Sequence, residues 1–355
     1  MQTVRVSLPD GRGYFVKIGR GLLELAGQEI KSCIGENKSF RAAVITDSVV
    51  APLYLELLTK SLANVGIDSV AFVFPSGEES KNINTLSDIL EFLASERITR
   101  SDILIALGGG VVGDITGFAS GIYLRGLPFV QVPTTLLADV DSSVGGKTAI
   151  DLQNGKNLAG VFKQPEIVLC DTACLDTLSD EILADGVAEG IKTGIIADSQ
   201  LFDIFKSGKI RERAEDIIVG CVRIKGAIVA QDEHDTGKRQ LLNLGHTIGH
   251  AIECCSNYTL PHGKAVAIGM IMIARAAYKM NICSKQVYDD IYNVIKLNAL
   301  PTAIDFSVDE LYNITQKDKK RFGARINLVV PREIGKCELM SVSLSELKEI
   351  IALGK

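Results

Sequence analysis

Two textures of hydrophobic patterning divide the chain near its middle. In the first half, short apolar runs alternate with stretches of helical period, and most runs end in glycine, proline or a polar cluster. Residues 4–8 and 14–18 flank Pro9-Asp10-Gly11, a turn signal that predicts a β-hairpin. Further strands are expected at 42–46, 69–74, 102–107 and 128–132, with one helix running to about 65 and another at 84–95. Strands alternating with helices in this way imply βαβ units and a largely parallel sheet. Beyond about residue 168, long periodic segments at 179–206, 210–231, 241–253, 264–280 and 284–296 predict helices. A hairpin at 326–330 and 336–340 and a last helix from Ser343 complete the pattern. The expected fold is an α/β domain over 1–168, built on a Rossmann-like parallel sheet, followed by a mainly α-helical domain over 169–355. The cleft between two such domains is the default place for a site.

Bulk properties narrow the function classes. A chain of 355 residues is too long for one comfortable core, in keeping with two domains. A net charge of −5 without runs of like charge excludes a general nucleic-acid binder, so any cationic site is a local gathering of Lys and Arg. The most apolar segment, 265–280, contains Arg275 and is too short for a membrane span, which makes it a buried helix. The N-terminal residues show no signal-peptide pattern. The eight cysteines include no C-x-x-C pair, a usage that predicts reduced, buried thiols and a cytoplasmic location.

Candidate chemistry begins at Gly108, where Gly109, Gly110, Val111, Val112 and Gly113 complete G-x-G-x-x-G between an expected strand and a helix. Glycines there let backbone approach a pyrophosphate at a helix N-terminus. Taken alone, the motif reads equally well as a tight strand-to-helix turn. Asp47 ends one strand, and Ser76, Gly77, Glu78, Glu79, Ser80 and Lys81 follow another. Strand ends of a parallel sheet converge, so this carboxylate and ammonium favour a dinucleotide site of non-standard layout.

Three of the four histidines fall within twenty residues: His246, His250 and His262. Such clustering in a His-poor chain points to a divalent metal with three protein ligands and one open position. His246 and His250 stand four apart on a helix, and spacing alone selects them as ligands. Glu189, on one helical face with Lys192 and flanked by small apolar residues, is a further candidate. Basic residues gather beside glycines and amides at Lys147, Lys156-Asn157, Lys192, Lys225, Arg239 and Lys319-Lys320, which suggests a small, acidic, phosphorylated substrate.

On these residues the chain resembles the 3-dehydroquinate synthase family of sugar-phosphate cyclases. The resemblance runs in order through 76–81, 108–114, 133–137, 141–147, 155–157, 189–192, 242–253, 262–263 and 318–320. It implies NAD on the first domain and one Zn2+ (or Co2+) per subunit held by Glu189, His246 and His262, with His250 moved to the substrate. It further implies that Asp141, Lys147, Asn157, Lys192, Lys225, Arg239, Asn243, His250 and one of Lys319 and Lys320 hold the substrate, and that Arg125 reaches its phosphate from the other subunit of a homodimer. Cofactor contacts are implied for Glu78, Lys81, Gly109, Gly110, Asp114, Thr134, Thr135, Lys147, Lys156 and the turn Cys174, Leu175, Asp176, Thr177. The implied reaction turns 3-deoxy-D-arabino-heptulosonate 7-phosphate, a phosphorylated keto-acid sugar of the shikimate pathway, into 3-dehydroquinate and phosphate. It proceeds by transient NAD oxidation, elimination, re-reduction and an intramolecular aldol. Another sugar-phosphate cyclase, or an NAD- and metal-dependent polyol dehydrogenase, would share much of this layout. Three positions depart from the family pattern: Lys264 stands where Glu is common, and Asp139 and Asp151 replace uncharged residues.

Overall fold

The computed structural model describes residues 1–319 and 325–355, without the side chains of 317–319. Two compact units divide the chain: Met1–Leu178 with Lys225–His234, and Ser179–Ile224 with Asp235–Lys355.

The first unit is built on a seven-stranded sheet. Its strands are β1 (Gln2–Ser7), β2 (Gly13–Gly19), β3 (Ala42–Asp47), β4 (Ser69–Phe74), β5 (Ile103–Gly108) and β6 (Phe129–Pro133), and a later strand, Ile167–Asp171, completes it. That later strand is β9, because a separate antiparallel hairpin, β7 (Lys147–Leu152) with β8 (Gly155–Phe162), precedes it in the chain. The sheet order is β1-β2-β9-β6-β5-β3-β4. Only the β1–β2 pair, the hairpin expected around Pro9-Asp10-Gly11, is antiparallel. Helices α1 (Leu22–Ile34), α2 (Glu56–Ala63), α3 (Ile83–Ser95) and α4 (Gly110–Ile122) connect the strands.

Alternation along each strand explains the two cores. In β5, Ile103, Ile105 and Leu107 join Leu23, Ile30, Leu58 and Leu62 of α1 and α2, whereas Leu104 and Ala106 join Leu86, Ile89 and Ile115 of α3 and α4. A strand buried on both faces reads as a continuous apolar run, which is why β3, β5 and β6 are legible in the sequence. β9 is such a strand too, and it carries the first unit ten residues past the expected boundary at 168, to Leu178.

The second unit is helical: α5 (Asp180–Ala197), α6 (Ser199–Phe205), α7 (Ala214–Val229), α8 (His246–Cys255), α9 (His262–Lys279), α10 (Lys285–Leu297), α11 (Val308–Lys319) and α12 (Leu344–Gly354). The end of α7, from Lys225, belongs to the first unit. The hairpin of β10 (Arg325–Glu333) and β11 (Lys336–Ser343) lies where the pattern puts it, and Ser343 caps α12 in a capping box with Glu346. The segment expected as one helix over 179–206 is two, because extended Asp198 ends α5 and its carboxylate accepts the Gln200 and Leu201 N–H groups that open α6. α9 is apolar on nearly all sides and packs against α5, α8, α10 and α12, as an all-round hydrophobic helix must.

Candidate functional site

Close backbone contact between α8 and α9 builds the histidine cluster. Gly245 sits left-handed at φ 78° and starts α8 at His246, five residues later than the periodicity suggests. A β-carbon on Gly269 of α9 would stand 2.1 Å from the Gly245 carbonyl oxygen, so glycine alone permits this approach. α9 opens at His262, and a β-carbon on Gly263 would lie 2.4 Å from the Asp185 carbonyl oxygen, which ties that helix start to α5. Glu189 and Lys192 stand on α5.

Glu189 is 1% exposed, and its Oε1 lies 3.7 Å from Nε2 of both His246 and His262. Lys192 Nζ donates to Oε2, whereas Oε1 has no hydrogen-bond partner. A buried carboxylate oxygen left bare costs free energy, and here it faces two imidazole nitrogens. That donor set fits a divalent cation. His246 Nδ1 lies 3.2 Å from the Leu244 carbonyl oxygen, an arrangement that turns Nε2 toward Glu189. Burial, with Lys192 and the neighbouring imidazoles, holds the His246 pKa well below the usual histidine value, so the ring is a neutral donor. Burial works the other way on His262 than its carboxylates do, and Glu253 and Glu189 prevail, raising its pKa.

His250 packs its ring 5.4 Å from that of His246 and 5.9 Å from that of His262. Among the described residues no donor group unites His246 with His250, contrary to the spacing argument; His250 instead groups with Glu253 and His262. The i, i+4 relation gives two rings one helix face but does not aim their nitrogens at one point. His250 also lines a cavity of about 160 Å³ with Asn243, His246, Thr247, Thr315 and Asn327. Arg239 is buried in the short 3-10 turn that ends at Asn243. The side chain of Lys319, and all of Lys320, fall outside the described residues.

The nucleotide candidates lie in the first unit. Gly109 caps α4, and β-carbons on Gly109 and Gly110 would come within 3.1 Å of Thr135 and 3.2 Å of Ser142. Such a bare backbone at a helix N-terminus fits a pyrophosphate. Lys81, 5% exposed, pairs with Asp114 at 2.6 Å and donates to Asn157 Oδ1 at 2.6 Å. Burial opposes the ammonium charge, but Asp114 and Glu78 raise the Lys81 pKa. Lys156 pairs with Glu78 at 3.4 Å. Several members of the expected set also have contacts within the fold. Val112, Cys174 and Leu175 point into the core, Ser80 Oγ donates to the Pro75 carbonyl, and Asp47 Oδ1 accepts the Val49 and Val50 N–H groups. Thr177 hydrogen-bonds Tyr54, and Asp176 pairs with Arg20. Thr134 is buried, next to Thr135 after β6. Ser76, Gly77 and Glu79 form the turn into Lys81.

Five substrate candidates share this unit: Arg125, Asp141, Lys147, Asn157 and Lys225. Lys225 Nζ donates at 2.7 Å to both the carbonyl oxygen and Oδ1 of Asp141. Lys147 begins the β7–β8 hairpin and Asn157 sits in it at φ 55°. Arg125 is exposed, in a left-handed backbone at φ 71°.

The structure explains two of the three departures. Asp151 accepts the Asn157 N–H at 2.7 Å, which braces the left-handed turn across the hairpin. Lys264 pairs with Glu181 of α5. Asp139 is fully buried with both carboxylate oxygens lacking a hydrogen-bond partner, and we have no structural account of its choice. Sequence reasoning does not single out Glu253, although its place seven residues after His246 puts it on the same helix face. Its Oε2 lies 3.3 Å from His262 Nδ1.

Residues 71–185 match the family model described as 3-dehydroquinate synthase N-terminal, and residues 186–321 match its C-terminal counterpart. A 3-dehydroquinate synthase of Clostridium acetobutylicum is 42% identical over 352 residues, which covers 98% of each chain. Another, of Rhizobium meliloti, is 44% identical over 349 residues, 94% of this chain and 91% of that one. Among solved structures, a 2-deoxy-scyllo-inosose synthase complexed with carbaglucose-6-phosphate, NAD+ and Co2+ aligns at a TM-score of 0.86 and 25% identity over 99% of both chains.

Proposed function

The chain belongs to the 3-dehydroquinate synthase family, and on that premise we propose that it converts 3-deoxy-D-arabino-heptulosonate 7-phosphate to 3-dehydroquinate and phosphate. One observation carries the reaction: identity of 42% to a named synthase across 98% of both chains, against 25% to a cyclase of a different sugar phosphate. A polyol dehydrogenase would have no use for the basic residues at Lys147, Lys192, Lys225 and Arg239.

When bound, NAD supplies a hydride acceptor and a divalent cation supplies a Lewis acid. Glu189, His246 and His262 are the residues proposed to hold the cation, zinc or cobalt. The glycine turn at 108–113, with Glu78, Lys81, Asp114, Thr134, Thr135, Lys156 and the turn at 174–177, holds the nucleotide. Asn243 and His250, on the wall of the cavity beside the triad, orient substrate hydroxyls and pass protons at the imidazole. Lys192, Arg239, Lys147 and Lys225 carry positive charge to the substrate's carboxylate and phosphate and to negative charge that develops during elimination. Asp141 keeps the Lys225 ammonium in place through its two hydrogen bonds. Asn157 presents its amide to the substrate from the braced turn, and Arg125 reaches the phosphate of a second subunit in a homodimer. A cytoplasmic location accords with this chemistry, and no helix among the described residues is long and apolar enough to cross a membrane.

The test is product analysis. The protein with NAD and zinc should yield inorganic phosphate and 3-dehydroquinate in equal amounts from the heptulosonate phosphate; absence of both, with NAD and metal bound, would contradict the reading.

A further inference from the structure

We infer that Glu253 is a positioning residue for the metal centre, holding the His262 imidazole in the orientation and tautomer that a cation requires. The inference rests on the metal reading of Glu189, His246 and His262 given above. Three observations carry it. Helical periodicity places His246, His250 and Glu253 at i, i+4 and i+7, on one face of α8. The Glu253 side chain is 5% exposed, so its carboxylate is committed to the interior rather than to solvent. Its Oε2 stands 3.3 Å from Nδ1 of His262, while Nε2 of the same ring faces Glu189 Oε1 at 3.7 Å.

The two ring nitrogens therefore have separate tasks. Nδ1–H donates to Glu253, which leaves the Nε2 lone pair directed at the bare oxygen of Glu189. A carboxylate on the far nitrogen fixes ring orientation and makes the donor nitrogen more basic, and loss of such a partner weakens metal binding by about 10- to 100-fold. His246 achieves the same division with a main-chain acceptor, the Leu244 carbonyl. His262 has greater need of a side-chain partner. It is the first residue of α9, and its side chain is 31% exposed against 14% for His246.

Glu253 could instead be a ligand itself, since His250, Glu253 and His262 also form a donor group. Cobalt(II) titration of the full chain separates these roles. Glu253→Ala and Glu253→Gln are compared with the parent by competition against a chelating dye, by the visible absorption of the cobalt-loaded protein, and by thermal unfolding. The parent is expected to bind one equivalent. Glu253→Ala should bind it about 10- to 100-fold more weakly, yet reach the parent's band shape and intensity at saturation, because no ligand is lost. Glu253→Gln, which keeps the shape and an oxygen acceptor, should recover part of the affinity. It also stands in if the alanine variant does not fold. Parental affinity in a folded Glu253→Ala would overturn the inference. So would two equivalents in the parent and one in the variant, or a changed band intensity at saturation, either of which makes Glu253 a ligand. A folded parent that binds no cobalt would instead overturn the metal reading itself.

Discussion

His246 and His250 show what spacing can and cannot decide about a residue. Both are visible in the sequence as a histidine pair on one helix face, but selection of ligands depends on what faces them from α5 and α9. Glu189 lies 57 positions before His246 and no local pattern links the two; only the fold brings Oε1 to 3.7 Å from both Nε2 atoms. His246→Ala should therefore lose stoichiometric metal. His250→Ala should retain it and turn over at least about 100-fold more slowly, as for loss of a proton-transfer group. Metal analysis after desalting, set beside turnover, checks this, and equal metal loss in both would refute the assignment. Asp139 offers a prediction about stability. Burial raises its pKa well above the usual carboxyl value of 3.8. The stability contributed by its neutral form is thus complete below the unfolded value and is lost as pH rises through the folded one. Asp139→Asn should melt higher at neutral pH, by about 2–4 °C per kcal/mol regained, and flatten the fall in melting temperature between acid and neutral pH. A lower melting point for the variant at neutral pH would show that the buried charge is compensated.

At the scale of elements, strands buried on both faces and the long helices were legible because their periodicity comes from packing that repeats along the element. The β7–β8 hairpin was not. No residue of β8 is buried, so its apolar residues do not mark a core-facing side, and Asn157, in left-handed backbone, donates its N–H to Asp151 across the hairpin, a contact that no hydrophobic pattern announces. α11 is likewise not expected from the hydrophobic pattern, because its apolar face is narrow, although Ser307 and Glu310 pair at its start and Asp309 and Glu310 suit its first turn. The start of α8 was misplaced because Gly245 sets it by left-handed geometry, which a count of apolar positions does not register. Close helix approach gives this level its own test. Gly263→Ala would press a β-carbon to 2.4 Å from the Asp185 carbonyl oxygen and push the start of α9, with His262, away from Glu189. Overpacking of this kind costs about 1–3 kcal/mol. The variant should melt lower and bind cobalt(II) more weakly; unchanged metal affinity would mean that His262 is not held by this contact.

Across the whole molecule, the nucleotide candidates fall in one compact unit and the metal triad in the other. The texture of the sequence changes near residue 168, whereas the first compact unit runs to Leu178 and takes in Lys225–His234, since three-dimensional contact rather than composition decides membership. Because the two sets share no residue among the proposed ligands, stripping the metal with a chelator should leave the dissociation constant for NAD unchanged by calorimetry, and loss of NAD binding together with the metal would contradict that separation. In the proposed reaction, NAD is used without being consumed. The most direct measurement follows inorganic phosphate and NADH together in one reaction containing the heptulosonate phosphate, zinc and less NAD than substrate. Many phosphates should be released per NAD supplied, with no NADH accumulating. Steady build-up of NADH in step with turnover would contradict it and mark the protein as a dehydrogenase.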